Sequence, residues 1–249
     1  MKTKLLKVIC FLAAFPLFYV HGAFGMEKGL YIRADLQHQS YRSTKLYDNQ
    51  PLSGACWFNS PGGCSSAGWP SEGAGVNPTN TTGWLLGIGY RFSPVLSTDL
   101  GYSASNNSHF DFAYGPGTAN FDVETRQIML TGYLDVISLV SGNKPEGPFS
   151  TYILLGVGQS RNSNSNYNCS SLAACTAFTY ANSNSNTDTA WQTGIGAQYS
   201  INKHVAIDVS LKRAYFGETV GKDIPSSSGI NAKLVTNILS VGFVVPIGN

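Results

Sequence analysis

The sequence predicts an all-β chain, an eight-stranded antiparallel up-and-down transmembrane β-barrel with four long external loops and short periplasmic turns. Three observations carry this. Stretches of about ten residues alternate apolar with small or polar side chains, the pattern of strands that face lipid on one side and a lumen on the other. The connections between them alternate in length. A secretory leader precedes them all.

The leader comes first in the chain. Lys2, Lys4 and Lys7 accompany an apolar run from Leu5 to Val20 that holds no acidic residue, and the small residues of "HGAFG" follow. Charge, apolar core and small-residue exit are the marks of a signal peptide. Ala23 and Gly25 place cleavage before Met26, with cleavage after Gly22 as the alternative. Residues 1–25 are then removed, and residues 26–249 form one barrel domain. The chain has 16 basic and 14 acidic residues, and losing the three lysines of the leader leaves 13 basic against 14 acidic. That balance gives no basic surface for nucleic acid. No apolar run after the leader approaches the ~20 residues of a spanning helix, which excludes helical membrane architectures but not strand-built ones.

Eight strands follow, at about 28–41, 82–93, 96–106, 123–138, 150–160, 189–201, 204–215 and 233–245. In the first, Leu30, Ile32, Ala34 and Leu36 oppose Tyr31, Arg33, Asp35 and Gln37. In the second, "TTGWLLGIGYRF", Trp84, Leu86, Ile88, Tyr90 and Phe92 oppose Gly83, Leu85, Gly87, Gly89 and Arg91. The sixth sets Trp191, Ile195 and Tyr199 against Gln192, Gly194, Gly196 and Gln198. The seventh sets Val205, Ile207, Val209 and Leu211 against Asp208, Ser210 and Lys212, and the eighth sets Leu239, Val241 and Phe243 against Ser240 and Gly242.

"WLLGIG" at 84–89 recurs as "WQTGIG" at 191–196. Trp84 and Phe92, like Trp191 and Tyr199, stand eight residues apart on the apolar face. Eight residues of strand cover ~26 Å. At a tilt near 40° this approaches the ~25 Å apolar band of an outer-membrane barrel, so these four aromatics mark its two interfaces. The glycines opposite them keep a narrow lumen from overfilling. "GIG" has no helix after it, which argues against a nucleotide loop.

The long links are rich in Asn, Ser, Gly and Pro, and "SRNSNSNYN" and "YANSNSNTD" read as solvated loop arms. They carry Trp57, Phe58, Trp69, Phe112, Tyr114, Tyr167, Phe178 and Tyr180. Cys56 and Cys64, and likewise Cys169 and Cys175, form local pairs within such links. In an oxidising compartment two small disulfides are expected. No C-x-x-C motif and no histidine near either pair supports zinc instead.

With a leader, eight strands, alternating links, "KGLYIRADLQ" at the start and "NILSVGFVVPIGN" at the end, the chain resembles the eight-stranded outer-membrane β-barrel superfamily. That superfamily includes OmpA-type transmembrane domains and opacity-type surface antigens. The likeness covers the whole mature chain and rests on architecture more than on a tight motif. Six residues follow Phe243, where such chains commonly end on an aromatic residue. No peptidoglycan-binding domain is expected. The resemblance implies a place in the bacterial outer membrane, with lipid as the surrounding partner.

An eight-stranded barrel can fill its interior with side chains, so no wide pore is expected. Arg33, Asp35, Arg91, Asp99, Asp135, Asp208 and Lys212 are the inward charges and are expected to form a cluster of ion pairs. Counting outward from the turn near Pro94 and Val95 sets Arg91 opposite Thr98 or Asp99. The expected function is that of a surface-exposed protein serving envelope integrity, or adhesion and ligand recognition through its external loops, where rigid scaffolds usually place recognition. A narrow ion channel is the alternative. A lipid A-modifying enzyme is the third reading, on the His38-x-Ser40 spacing, for which no orienting carboxylate can be assigned. No catalytic residue, cofactor or metal is expected, no nucleic-acid partner, and a monomer.

Overall fold

The computed structural model describes residues 28–42, 44–47, 75–114, 117–142, 147–169, 184–220 and 231–247. The strands are β1 (Gly29–Tyr41), β2 (Thr44–Tyr47), β3 (Gly75–Pro78), β4 (Thr81–Arg91), β5 (Leu96–Ser105), β6 (Ser108–Tyr114), β7 (Gly117–Asp135), β8 (Phe149–Cys169), β9 (Ser185–Asn202), β10 (Val205–Val220) and β11 (Asn231–Ile247). A short helix, α1 (Val136–Val140), follows β7.

Eight of these strands close a barrel in the order β1, β4, β5, β7, β8, β9, β10 and β11, with every neighbour antiparallel. Pairing of β1 with β11, from Leu30 opposite Ile247 to Tyr41 opposite Thr236, shuts the wall. The first residues of β1, the last residues of β11 and the turns at 92–95 and 203–204 lie at one end. In the latter turn Asn202 Oδ1 accepts from the amides of His204 and Val205 at 2.8 and 3.0 Å, a side-chain mimic of a backbone turn. At the other end β2, β3 and β6 stand between β11 and β7 in place of β1, β4 and β5. The long-connection end is therefore ringed by strands as well.

The alternation of faces follows the expected pattern. Leu36, Leu86, Leu100, Leu130, Leu155, Ile195, Leu211 and Val241 all point outward and are about half exposed or more. A soluble protein would not leave so large a continuous apolar surface uncovered; a bilayer covers it. Among the described residues no helix is long and apolar enough to cross a membrane.

Three expectations are corrected. The strand expected to run to residue 138 stops at Asp135, whose carboxylate accepts the Ser138 amide at 2.7 Å and caps α1. "SRNSNSNYN" and the later half of "YANSNSNTD" are not loop arms but the upper parts of β8 and β9. Arg161 consequently sits in a strand. Asn and Ser are poor strand formers, yet pairing and inward bonding override that tendency: Asn162 is buried and donates from Nδ2 to the Phe216 carbonyl at 2.7 Å. The expected long link "NNSHFDFAYGPGTANFD" is likewise largely the β6–β7 hairpin. With 19 and 21 residues, β7 and β8 run well past the ~9–11 a bilayer needs.

The wall extension encloses an apolar core. Tyr41, Phe110, Phe121, Val123, Phe216 and Leu234 are buried there, with Tyr167 packed against them. Phe110 stacks on Phe121 at 5.2 Å between ring centroids, and Phe121 on Tyr167 at 5.4 Å. Each buried Phe contributes roughly 1.5–3 kcal/mol by leaving water.

Candidate functional site

Nearer the end with the short turns, the lumen is polar and centred on Arg33. Arg33 and Asp35 are two apart on β1, so pleating points both inward. Arg33 Nε donates to Asp35 at 2.9 and 3.1 Å, Nη2 donates to Asp208 of β10, and Nη1 stands 4.0 Å from Asp99 of β5. All four side chains are at most 4% exposed. Two tyrosines complete the network. Tyr133 of β7 donates to Asp99 at 2.7 Å, and Tyr152 of β8 donates to Asp208 at 2.8 Å. The guanidinium also lies over the Tyr133 ring, 5.2 Å from its centroid. A buried charge needs paired and hydrogen-bonded partners, and here five strands converge to supply them. Space comes from small residues: a Cβ added at Gly196 would stand 2.7 Å from Tyr152 Cε2 and closer still to its hydroxyl end.

Of the seven expected lumen charges, Arg33, Asp35, Asp99 and Asp208 meet in this network. Lys212 is buried on the same face of β10. Arg91 and Asp135 lie elsewhere. Arg91 faces Ser97, and Asp99 faces Gly89, so Arg91 is not opposite Asp99. The Phe92 amide bonds the Leu96 carbonyl at 3.0 Å, which centres the turn on Pro94 and slips the expected register. Arg91 Nη2 instead donates to Gln198 at 3.0 Å, at a small recess opening beside Ser97 and Asp135. Asp135 is committed to α1 and to the Ser150 hydroxyl.

Trp84, Phe92, Trp191 and Tyr199 all point outward. Trp84 packs on Tyr102 at 5.6 Å and Trp191 on Tyr215 at 6.2 Å, while Phe92 meets Tyr90 at 5.0 Å near the other end. His38 and Ser40 share the outer face of β1, and among the described residues no carboxylate pairs with His38. Cys56, Cys64 and Cys175 lie outside the described residues, as do the side chain of Cys169, the end of β8, and Trp57, Phe58, Trp69, Phe178 and Tyr180.

One arrangement escaped the sequence reading. His109 of β6 lies directly opposite Asp122 of β7, with Nδ1 at 2.7 Å from the carboxylate and Nε2 at 3.3 Å from Asp111. Asp122 also accepts from Asn166 of β8 at 2.7 Å. The period-two run "SHFDFAY", with its inward Phe110, was the signal that could have found this strand. The bond to Asp122 holds the His109 imidazole above its ordinary pKa, with Asp111 adding to it against weak burial. Burial alone would raise Asp122, but its bonds from Asn166 and His109 bring it below the usual carboxylate value.

His109 therefore stabilises the hairpin fully below its ordinary value of 6.5, and this support is lost as pH rises through the raised folded value. Asp122 contributes above its ordinary 3.8, and its share is lost as pH falls through the depressed one. Amide exchange in β6 is expected to quicken as pH rises from about 5.5 to about 8.5, after correction for intrinsic rates, and His109→Ala is expected to abolish that dependence. A wild-type hairpin with the same corrected rates at both ends of that range would exclude a stabilising His109–Asp122 bond.

A family model for the outer membrane protein beta-barrel domain matches residues 10–245. No curated protein matches the chain. Among solved structures, the outer membrane protein OprG from Pseudomonas aeruginosa is similar at 11% identity, with 91% of this chain and 99% of that chain covered and a TM-score of 0.54. Neisserial surface protein A is similar at 14% identity, with 88% and 97% covered and a TM-score of 0.45. The outer membrane protease OmpT from Escherichia coli is similar at 10% identity, with 91% and 100% covered and a TM-score of 0.43. At such identities the likeness concerns the fold alone. The closed eight-stranded wall, its apolar outer belt and the family match over nearly the whole length agree, and the chain belongs to the outer membrane protein beta-barrel domain family of the bacterial outer membrane.

Proposed function

We propose that this barrel is a sealed, non-enzymatic scaffold that holds its long connections at the cell surface for recognition. The filling of the lumen carries this reading. The Arg33 network occupies the lower part, and the Phe110–Phe121–Phe216 core lies in the ringed extension above it. Passage of a solute would have to break a buried cluster of paired charges and also part a packed apolar layer. The ringed extension ends where the long connections begin, and two of those connections carry in sequence Trp57, Phe58, Trp69, Phe178 and Tyr180, residue types that anchor interfaces.

Two measurements test the reading. The protein in planar bilayers is expected to show no sustained conductance, and steady ohmic channels would overturn the seal. Replacing residues 48–74 and 170–183 by short Gly-Ser connectors is expected to abolish attachment of expressing cells to a ligand-bearing surface and leave the barrel folded. Unchanged attachment would place recognition elsewhere.

The orientation is tested separately. A cysteine at Thr187 is expected to react with an impermeant maleimide on whole cells, and one at Asn202 to react only after the outer membrane is opened. The reverse pattern would invert the barrel.

A further inference from the structure

On the outer face of the wall, two cations confront each other. Arg126 of β7 lies directly opposite Arg161 of β8. Opposed side chains on one face have Cβ atoms about 4.5–5.5 Å apart, a separation at which like charges destabilise a sheet. The local relief is partial. Arg126 Nε donates to Glu124 at 2.8 Å, while Arg161 Nη2 donates to the neutral hydroxyl of Ser185, at 3.1 Å. Among the described residues no carboxylate lies within 4.0 Å of Arg161. Glu124 balances Arg126, and the charge of Arg161 has no carboxylate partner among the described residues. The Arg126 side chain is 56% exposed.

The height of the pair on the wall suggests what balances it. One outward position nearer the short turns, Ile128 of β7 stands opposite Gln159 of β8, and beyond it Leu130 stands opposite Val157. Ile128, Leu130 and Val157 are each more than half exposed. Trp191 of β9 lies opposite Val157, and Tyr102 of β5 opposite Ile128. The arginines thus sit one step, about 7 Å, above the apolar belt, between two of its outer aromatics. Lipid head groups lie at that height.

We propose that Arg126 and Arg161 form a binding site for a phosphorylated, acylated lipid of the outer leaflet. Its phosphate lies between the two guanidinium groups, and its acyl chains lie along Ile128, Leu130 and Val157. Two planar forks carried at opposed positions of neighbouring strands suit a phosphate, which can take paired N–H donors from each. Glu124 competes with the phosphate for Arg126. The assignment to the outer leaflet rests on the orientation proposed above. Binding in detergent does not depend on orientation, so failure of one is distinguishable from failure of the other.

The test uses the folded protein in nonionic detergent, titrated with bis-phosphorylated lipid A and with the same lipid after enzymatic removal of its phosphates, and read by native mass spectrometry. The phosphorylated form is expected to bind about ten- to a hundredfold more tightly, the range of one or two charge-assisted bonds. Arg126→Gln with Arg161→Gln is expected to erase the difference, Arg161→Gln alone to remove most of it, and Glu124→Gln to strengthen binding. The last two variants keep the test usable if the double variant does not fold. A double variant that keeps the preference, equal binding of both lipids, or weaker binding by Glu124→Gln would each overturn the site. Equal occupancy by inorganic phosphate, or tighter binding of a soluble sulfated oligosaccharide than of the lipid, would overturn the lipid assignment.

Discussion

Arg33→Met is expected to lower the unfolding free energy in detergent by about 3–5 kcal/mol. The cost comes from what remains. Asp35, Asp99 and Asp208 are each buried, and Arg33 is the cation that reaches all three. Without it three carboxylates face one another around Lys212, with Tyr133 and Tyr152 as hydroxyl donors to Asp99 and Asp208. Lys203→Met, on the exposed turn between β9 and β10, is expected to change stability by no more than about 0.5 kcal/mol. Arg91→Met is expected to fall between them, because Arg91 stands at the open mouth beside Gln198. Pairing Arg33→Met with Asp208→Leu is expected to recover part of the loss, since the second change removes a stranded charge. Urea titrations of the four variants give the ranking. Equal midpoints for Arg33→Met and Lys203→Met would show that the network does not hold the lumen together.

Phe216→Ala is expected to cost about 3–5 kcal/mol and to act at the opposite end. Phe216 is fully buried in the external core, and its carbonyl also accepts from Ser160 at 2.5 Å and from Asn162 at 2.7 Å. Removing the ring leaves a cavity that the surrounding strands can fill only by bending, and they are tied to one another by ladder bonds. The damage is expected to stay local, because few apolar contacts link this core to the polar network below. Hydrogen exchange should therefore speed in the upper parts of β7, β8 and β10, with the segments around Arg33 unchanged. Leu100→Ala, which removes an outward side chain already covered by lipid or detergent, is the control and is expected to cost far less. A uniform rise in exchange along all strands would mean that the two halves of the lumen unfold as one unit.

The outer surface was legible in the sequence because it obeys one rule of short range. A strand has a period of two, and lipid demands apolar side chains on one face. Runs such as "WLLGIGYRF" and "ILSVGFVV" therefore announce both the strand and its orientation, and the eight barrel strands appear where that rule predicts them. The inward residues could be named by parity for the same reason: Arg33, Asp35, Asp99, Asp208 and Lys212 all face the lumen.

Which of those charges meet was decided by tertiary structure. Partners across a barrel depend on register and shear, which accumulate strand by strand, and slipping the β4–β5 turn moves Arg91 away from Asp99. The upper wall was hidden for a different reason. In β8 and β9 beyond the membrane, Asn and Ser replace the apolar residues that mark a strand, because water replaces lipid outside and Asn162 and Asn164 find partners inside. Nothing local distinguishes such a segment from a loop. Only the neighbours that its backbone pairs with, and the aromatic core that it encloses, make it a strand.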